Sequence, residues 1–581
     1  VFPRRVGTAR CTARSGWTSC CAVEQASARR SWRRRSSRTA RASPGASSET
    51  TARSFVYVFP TLAEAATSAP AAAAQAVSRA RLGILVFTAG AGTLATEIAA
   101  SRLLAPYFGS STIVWANIIG LILVYLSIGY WFGGKLADRR PEPRLLGSIV
   151  LAAALFIAIL PFVSRPILDV AVRGLDAVSV GAVVGSFFAA LALFAIPVTL
   201  LGAVSPFAIR LALDDVGEAG TVAGRLYALS TVGSIVGTFA SALLTIPLVG
   251  TQRTMLGSAA LLVLAGSLVL GTRWQLATVA VAALLFIPAG TIKASSGLLY
   301  ETESSYQYVQ VLQRADGSRV LKLNEGVAVH SVWHPRSVLT GGEWDMFLVV
   351  PPLLDRPVER MLVIGNAGGT IARAYGKLYP DVRIDGVEID PKVTEAGRRF
   401  LGLGDNPNLH VITDDGRPFL QLTDERYDVI VVDAYRQPYI PFYLATEEFF
   451  RLARRHLAPG GVLALNVAAV PGDLRLGQAI GTTVLSAFPE AWRWKPLRFN
   501  ELVLAFDRPL PRSRLAQLVG KAPPAVASLV PLFRAGLEPV RAEGEPLTDD
   551  RAPVEWLTDR MIVDFIAGGG DLDERPLPTA P

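Results

Sequence analysis

The chain has 581 residues, 51% of them hydrophobic and 18% charged, with a formal net charge of +9 and a mean hydropathy of +0.37. It is too apolar for an ordinary soluble protein and long enough for two domains. The positive balance resides in the first 53 residues, which hold twelve Arg, two acids (Glu24 and Glu49) and all three cysteines, so basicity gives no reason to expect a nucleic acid partner.

Residues 1 to 80 carry no apolar pattern able to build a core and read as a disordered Arg/Ala/Ser-rich tail, or as residues ahead of the true start. Apolar windows follow at about 82 to 104, 113 to 133, 145 to 163, 178 to 203, 226 to 249, 254 to 271 and 274 to 290. Each is close to the ~20 residues that cross a bilayer as a helix, which predicts a polytopic helical membrane domain of about seven spans over 81–292. Glu97 and Arg102 fall in or near the first window. Charges there are costly, and the simplest placement lets Arg102 snorkel at the end of the span while Glu97 faces the bundle. The loop 133–140, GGKLADRR, is basic and is expected on the cytoplasmic side.

A different grammar begins after residue 295. Tyr306–Gln313 (YQYVQVLQ), a turn at Asp316-Gly317 and Arg319–Leu323 (RVLKL) predict a hairpin in a small β domain over 296–355. Met361–Ile364 is a short apolar strand, and Gly365, Gly368 and Gly369 permit a tight turn and a close ligand approach before a helix opening near Thr370. Glu388 ends a second strand, 23 positions after Gly365, where a carboxylate can accept hydrogen bonds from ribose hydroxyls. His410–Thr413 leads into Asp415 and Gly416, Tyr427–Asp433 ends in another acid, and Val462–Val467 is a fifth strand. Strands alternating with helices predict a doubly wound Rossmann-like α/β domain over 356–510, with Glu388, Asp415 and Asp433 on its carboxyl rim, and a C-terminal extension over 511–581. There is no Cys after residue 21, and His330, His334, His410 and His456 are scattered. No metal is expected.

Ser305-Tyr306-Gln307, the glycine turn, Val387-Glu388-Ile389-Asp390, Asp415-Gly416, and Asp433 followed by Pro438 resemble the polyamine aminopropyltransferase (spermidine synthase-like) family. The order of segments resembles its bacterial members fused to a membrane domain. The resemblance implies decarboxylated S-adenosylmethionine as co-substrate and a small-molecule amine as acceptor. It implies that Gln307 touches the thioadenosine, Glu388 the ribose and Asp415 the adenine amine, and that Asp433 is the catalytic base. An amine with a pKa near 10 is protonated at neutral pH, so a carboxylate that takes its proton supplies the missing step.

The departures are equally specific. The family's glycine turn usually carries an Asp for the aminopropyl ammonium where this chain has Gly368. Its second acid after the catalytic Asp aligns with Arg436, and a Tyr-Gln pair of the β domain aligns with Trp344-Asp345. Arg436 facing inward would repel a diamine, Asp345 could replace lost negative charge, and Tyr435, Tyr439 and Tyr443 could wall the amine. Two alternatives stay open: a methyltransferase using ordinary S-adenosylmethionine, and a transporter or sensor whose soluble domain binds a nucleoside or polyamine without turnover. The bilayer is the expected environment, and a homo-oligomer is left open. Seven spans with loop 133–140 in the cytosol would leave the α/β domain outside. Cofactor supply argues for a cytoplasmic domain, so an extra or re-entrant segment is expected between 178 and 213, where Pro197, Gly202 and Pro206 interrupt the apolar run.

Overall fold

The computed structural model describes residues 78–109, 112–175, 181–287, 290, 292–324, 328–436, 438–570 and 575–579. The Arg-rich tail and its cysteines lie outside the described residues. The helical part comprises α1 (Arg79–Phe108), α2 (Thr112–Arg139), α3 (Pro143–Leu175), α4 (Gly181–Gly202), α5 (Val204–Ala212), α6 (Ala219–Phe239), α7 (Ile246–Val249), α8 (Thr251–Leu270) and α9 (Gln275–Ala283). A π-helical stretch, Ala240–Thr245, joins α6 to α7.

Helices that are apolar all round pack through small residues. A Cβ on Gly233 or Gly237 of α6 would lie 2.1 or 2.2 Å from a backbone oxygen of α1, so only glycine allows these two helices to meet at this distance. Trp131, Phe132, Phe188 and Phe239 point outward and are more than half exposed, the surface expected of a bundle solvated by lipid.

Among the described residues, six helical runs are long and apolar enough to cross a membrane, rather than about seven. The seventh window forms only a shorter helix, Gln275–Phe286, because Gly271, at φ 108°, ends α8 and Ile287 is already extended. The chain nevertheless returns along α8. Leu270 abuts Gly147 near the start of α3, whereas Gly290 lies beside Arg165 near its far end. No re-entrant segment occupies 185–212 either; α4 and α5 run as a single span bent at Ala203.

The two ends of the bundle are marked by polar contacts. Arg79 pairs with Asp214 at 2.8 Å, and Arg210 with Asp138 at 3.5 Å, which gathers the start of α1, the end of α2 and the end of α5. At the opposite end Lys293 Nζ donates to the Pro106 carbonyl at 2.8 Å, and Thr251 N donates to Glu303 at 2.9 Å. The β-rich part of the chain is attached there. Residues 133–139, expected as a loop, are instead the last turns of α2; this basic end and the α/β domain lie at opposite ends of the bundle, and the two expectations, that both are cytoplasmic, exclude each other.

Beyond the bundle, β1 (Leu298–Glu303), β2 (Tyr308–Gln313), β3 (Arg319–Leu323) and β4 (Val329–Trp333) form an antiparallel meander. The predicted hairpin is its central pair. Then follow β5 (Arg360–Ile364), α10 (Thr370–Leu378), β6 (Arg383–Glu388), α11 (Pro391–Phe400), β7 (Leu409–Thr413), α12 (Gly416–Leu422), β8 (Tyr427–Val432), α13 (Glu447–Arg455), β9 (Leu457–Ala468), α14 (Arg475–Ala487), β10 (Glu490–Trp494) and β11 (Asn500–Phe506). The C-terminal part adds α15 (Arg512–Leu518), α16 (Leu529–Gly536), β12 (Leu537–Pro539) and α17 (Val554–Ala567).

The eight-stranded sheet has the order β12-β10-β11-β9-β8-β5-β6-β7, with β7 to β9 parallel and β10 to β12 added antiparallel. Covered on both faces, β5 and β8 are near-continuous apolar runs. The chain winds outward from β5 to β7 and returns on the other side with β8. That places a topological switch point between β5 and β8, where ligands of such sheets bind. Residues 343–354, at the end of the expected β domain, pack instead into the core of this sheet.

Candidate active site

The switch point is built by backbone geometry. Gly365 (φ 87°) and Gly369 (φ 83°) adopt left-handed conformations, and Ala367 does so as well at φ 45°. A Cβ on Gly365 would come within 2.5 Å of the Asp433 carbonyl oxygen, so the turn leaves β5 pressed against the end of β8. Glycine is required at 365 both by its φ and by this contact.

Glu388, 7% exposed, closes one side of the turn. One of its carboxylate oxygens accepts from Ala367 N at 2.9 Å and the other from Asp390 N at 3.0 Å. Burial pushes its carboxyl up to about 7, against the pull of those two amides. Each oxygen keeps a further lone pair for a hydroxyl donor. Beside it Asn366 is 4% exposed, and neither polar atom of its side chain has a partner. A buried, unsatisfied amide next to a glycine cradle fits a polar ligand that completes it.

Gln307 is brought to the same place by the β1–β2 turn. Ser304 Oγ donates to Asp390 at 2.6 Å and accepts from Tyr306 N and Gln307 N, each at 3.0 Å. Burial raises the Asp390 carboxyl, and the Gln307 side chain lies close enough to it to lower it in part. Asp415 caps α12 by accepting from Arg417 N at 3.0 Å, while its other oxygen accepts from Tyr443 Oη at 2.9 Å. Gly416 is needed because a Cβ there would lie 2.3 Å from the Ile364 side chain.

Asp433 follows β8 on the other side of the turn. Its backbone N donates to Ile364 O at 2.9 Å, and its carboxylate accepts from Asn466 Nδ2 at 2.8 Å. Burial drives this carboxyl up to about 7 as well, with the Asn466 bond opposing. Asn466 is itself held, accepting from Asn500 Nδ2 at 3.0 Å through its side chain and from Tyr435 Oη at 3.0 Å through its carbonyl. A carboxylate with one amide donor and a raised pKa, at a ligand crevice, can take and release a proton near neutral pH.

The residues expected to bind the acceptor divide. Tyr435 lies near Asp433 and feels the charges of Asp433, Glu343 and Glu501; burial first, then these acids, push its phenol well up. Asp345 is fully buried and accepts from Thr340 N, Gly341 N and Thr579 Oγ1, so its charge goes to tying the C-terminal segment down. Trp344 is 7% exposed in the same core. Arg436 is exposed and interacts electrostatically with Tyr443 and Arg102. Tyr439 donates to Asp559 of α17.

At Gly368 a Cβ would meet Leu401 Cδ1 at 2.5 Å and Ser331 Cβ at 2.9 Å. No acid fits there as the chain is packed. Sequence reasoning missed Asn466 and Glu343. Asn466 had a signal, a lone amide in the apolar run of β9; Glu343 had none.

The spermine/spermidine synthase domain family matches residues 344–490. A probable polyamine aminopropyl transferase of Bifidobacterium longum is 37% identical over 36% of this chain and 48% of its own length. A polyamine aminopropyltransferase of Vibrio vulnificus is 29% identical over 39% of this chain and 78% of its own. The chain thus spans about half the length of the first of these relatives. Among solved structures, a probable spermidine synthase from Corynebacterium glutamicum aligns over 44% of this chain and 99% of its own, at 18% identity and a TM-score of 0.34. Human methyltransferase-like protein 13 aligns over 30% and 86%, at 24% identity and a TM-score of 0.27.

Proposed function

Because the α/β domain belongs to the spermidine synthase-like family, we propose that the chain is a membrane-embedded transferase. It moves an aminopropyl group from decarboxylated S-adenosylmethionine to an amine. The observation that carries this reading is the glycine turn at the switch point, with Glu388 on one flank and Asp433 on the other.

In this reading the ribose hydroxyls donate to the free lone pairs of Glu388, Asp415 meets the adenine amine, and Gln307 lies along the thioadenosine. The acceptor arrives as an ammonium. Asp433 takes its proton, and the freed lone pair attacks the carbon beside the sulfonium. The C–N bond forms as the C–S bond breaks, and the electron pair returns to sulfur, which leaves as neutral methylthioadenosine. Asp433 then loses its proton to solvent. Asn466 keeps the carboxylate aimed through the cycle, and the fixed geometry contributes by holding nucleophile and donor in line. Glu343, an acid whose charge reaches Tyr435, supplies negative charge for the remaining ammonium of a di- or polyamine.

One observation favours the second reading. The space at Gly368 is filled by Leu401 and Ser331, so an ammonium ligand is lacking where the family has one. A donor without an absolute need for that ligand, ordinary S-adenosylmethionine, would make this a methyltransferase. Either donor requires the α/β end of the bundle to face the compartment that holds it.

Calorimetric titration of the full-length protein in nanodiscs with both donors tests the reading. Tighter binding of the decarboxylated form is expected. Preference for the ordinary form would move the assignment to methyl transfer, and binding of neither would favour a transporter or sensor.

A further inference from the structure

The cofactor side of the pocket is tied to the membrane helices by an unbroken chain of contacts. Arg102, in the last two turns of α1, donates through Nη2 to the carbonyl of Ser305. Next to it, Glu303 accepts from both Thr251 N and Thr251 Oγ1 at 2.9 Å, which caps the start of α8. Ser304, between these two anchors, bonds Asp390 at 2.6 Å, and Asp390 N bonds Glu388 at 3.0 Å. Glu388 then accepts from Ala367 N of the glycine turn at 2.9 Å. The anchored segment, Ser304 to Gln307, carries Gln307 and is otherwise open: Ser305 and Tyr306 are exposed. Arg102 also lies within electrostatic reach of Glu303, Asp390 and Arg436.

We infer that Arg102 is a positioning residue for the donor pocket: by gripping the Ser305 carbonyl it holds the Ser304–Gln307 turn against Asp390, and so couples the helical bundle to donor binding. The inference rests on the reading of this pocket as an adenosyl site. The physical case is one of preorganisation. Arg102 bonds this turn from α1, and a guanidinium bond to a backbone carbonyl is charge-assisted. A turn held before the ligand arrives need not be ordered at the ligand's expense. By linkage, a donor that stabilises the closed turn must in return tighten the grip of α1 on it. The cost of placing a guanidinium in a membrane helix is thereby given a function beyond snorkelling.

The test uses the full chain in nanodiscs, with methylthioadenosine as the binding probe and steady-state kinetics for each substrate. Arg102→Ala is expected to raise the Kd of methylthioadenosine and the KM of the donor about tenfold, which corresponds to ~1.4 kcal/mol. The KM of the amine and kcat at saturating donor should stay within about twofold. Arg102→Lys should recover part of the loss. Thr251→Val, which loosens the second anchor, should shift the same two constants by a smaller factor. Amide exchange at Tyr306 and Gln307 should quicken in Arg102→Ala while exchange at Gly341 stays unchanged. Wild-type binding with an unchanged Kd in Arg102→Ala overturns the inference alone. So does a parallel fall of every constant with no change in exchange confined to the turn, which is the mark of a merely structural residue. A wild-type protein that binds no adenosyl ligand overturns the functional reading, and this inference with it.

Discussion

Replacing Asp433 by Asn should stop turnover and stabilise the protein, and the stabilisation should depend on pH in a defined way. Burial raises the Asp433 carboxyl from 3.8 to about 7 in the folded chain. The folded state therefore keeps a proton that the unfolded state releases between those two values. Where the native state binds more protons, stability falls as pH rises. The cost of the charged carboxylate is thus absent below about 4, grows through the window from 4 to 7, and is fully present above it. A shift of about three units corresponds to ~4 kcal/mol, and because the side chain is partly open to the crevice we expect about 2 to 4 kcal/mol at pH 8. Asn carries no charge at any pH, and its amide oxygen can still accept from Asn466. Unfolding followed by the fluorescence of Trp492 and Trp494, both in β10, would report on the α/β domain. Asp433→Asn should melt higher by several degrees at pH 8, with under half that gain at pH 5. Its turnover should drop by about 10² to 10⁴, the usual contribution of a general base, with donor affinity largely kept. In the wild type, kcat/KM should rise with pH through about 7, as Asp433 ionises. Equal stability of variant and wild type at pH 8, or retained turnover, would refute the assignment of a base whose charged form burial disfavours.

Three further outcomes follow from the geometry. Glu388→Ala should fail in the opposite order, weakening methylthioadenosine by tenfold or more before any effect on chemistry at saturation, because it removes a charged acceptor worth ~1.5–3 kcal/mol; calorimetry showing equal affinity would remove Glu388 from the site. Gly368→Asp should lower both donor affinity and melting temperature, since its Cβ would meet Leu401 and Ser331, and tighter donor binding in this variant would show that the cradle can open. With Cys11, Cys20 and Cys21 changed to Ser, single cysteines introduced as Pro141→Cys and Asp424→Cys should react with a membrane-impermeant maleimide from opposite sides of the bilayer. Labelling from the same side would contradict the placement of the α/β domain at the far end of the bundle.

The parts of the site that were legible in the sequence are those fixed by neighbours in the chain. The turn after β5 announces itself through Gly365 and Gly369 because a left-handed φ and a close backbone approach admit little else. Glu388 and Asp433 could be placed because each ends an apolar strand, and the doubly wound order puts those ends on one rim. Asp345 misled because alignment within a segment says nothing of what folds back onto it, and Thr579 does so from 234 positions away. The Ser304–Asp390 bond and the Arg102 grip on Ser305 span 86 and 203 positions, beyond any periodicity. The last apolar window looked like a full span because hydropathy does not count helical turns. Gly271 and the extended Ile287 leave only Gln275–Phe286 between them.

The central claim is tested most directly by the identity of the product. Full-length protein given decarboxylated S-adenosylmethionine and putrescine, with Asp433→Asn as control, should release methylthioadenosine in step with an aminopropylated amine, both visible by mass spectrometry and both absent from the control. Methylthioadenosine without an extended amine, a methylated product from ordinary S-adenosylmethionine, or equal turnover by the control would contradict it.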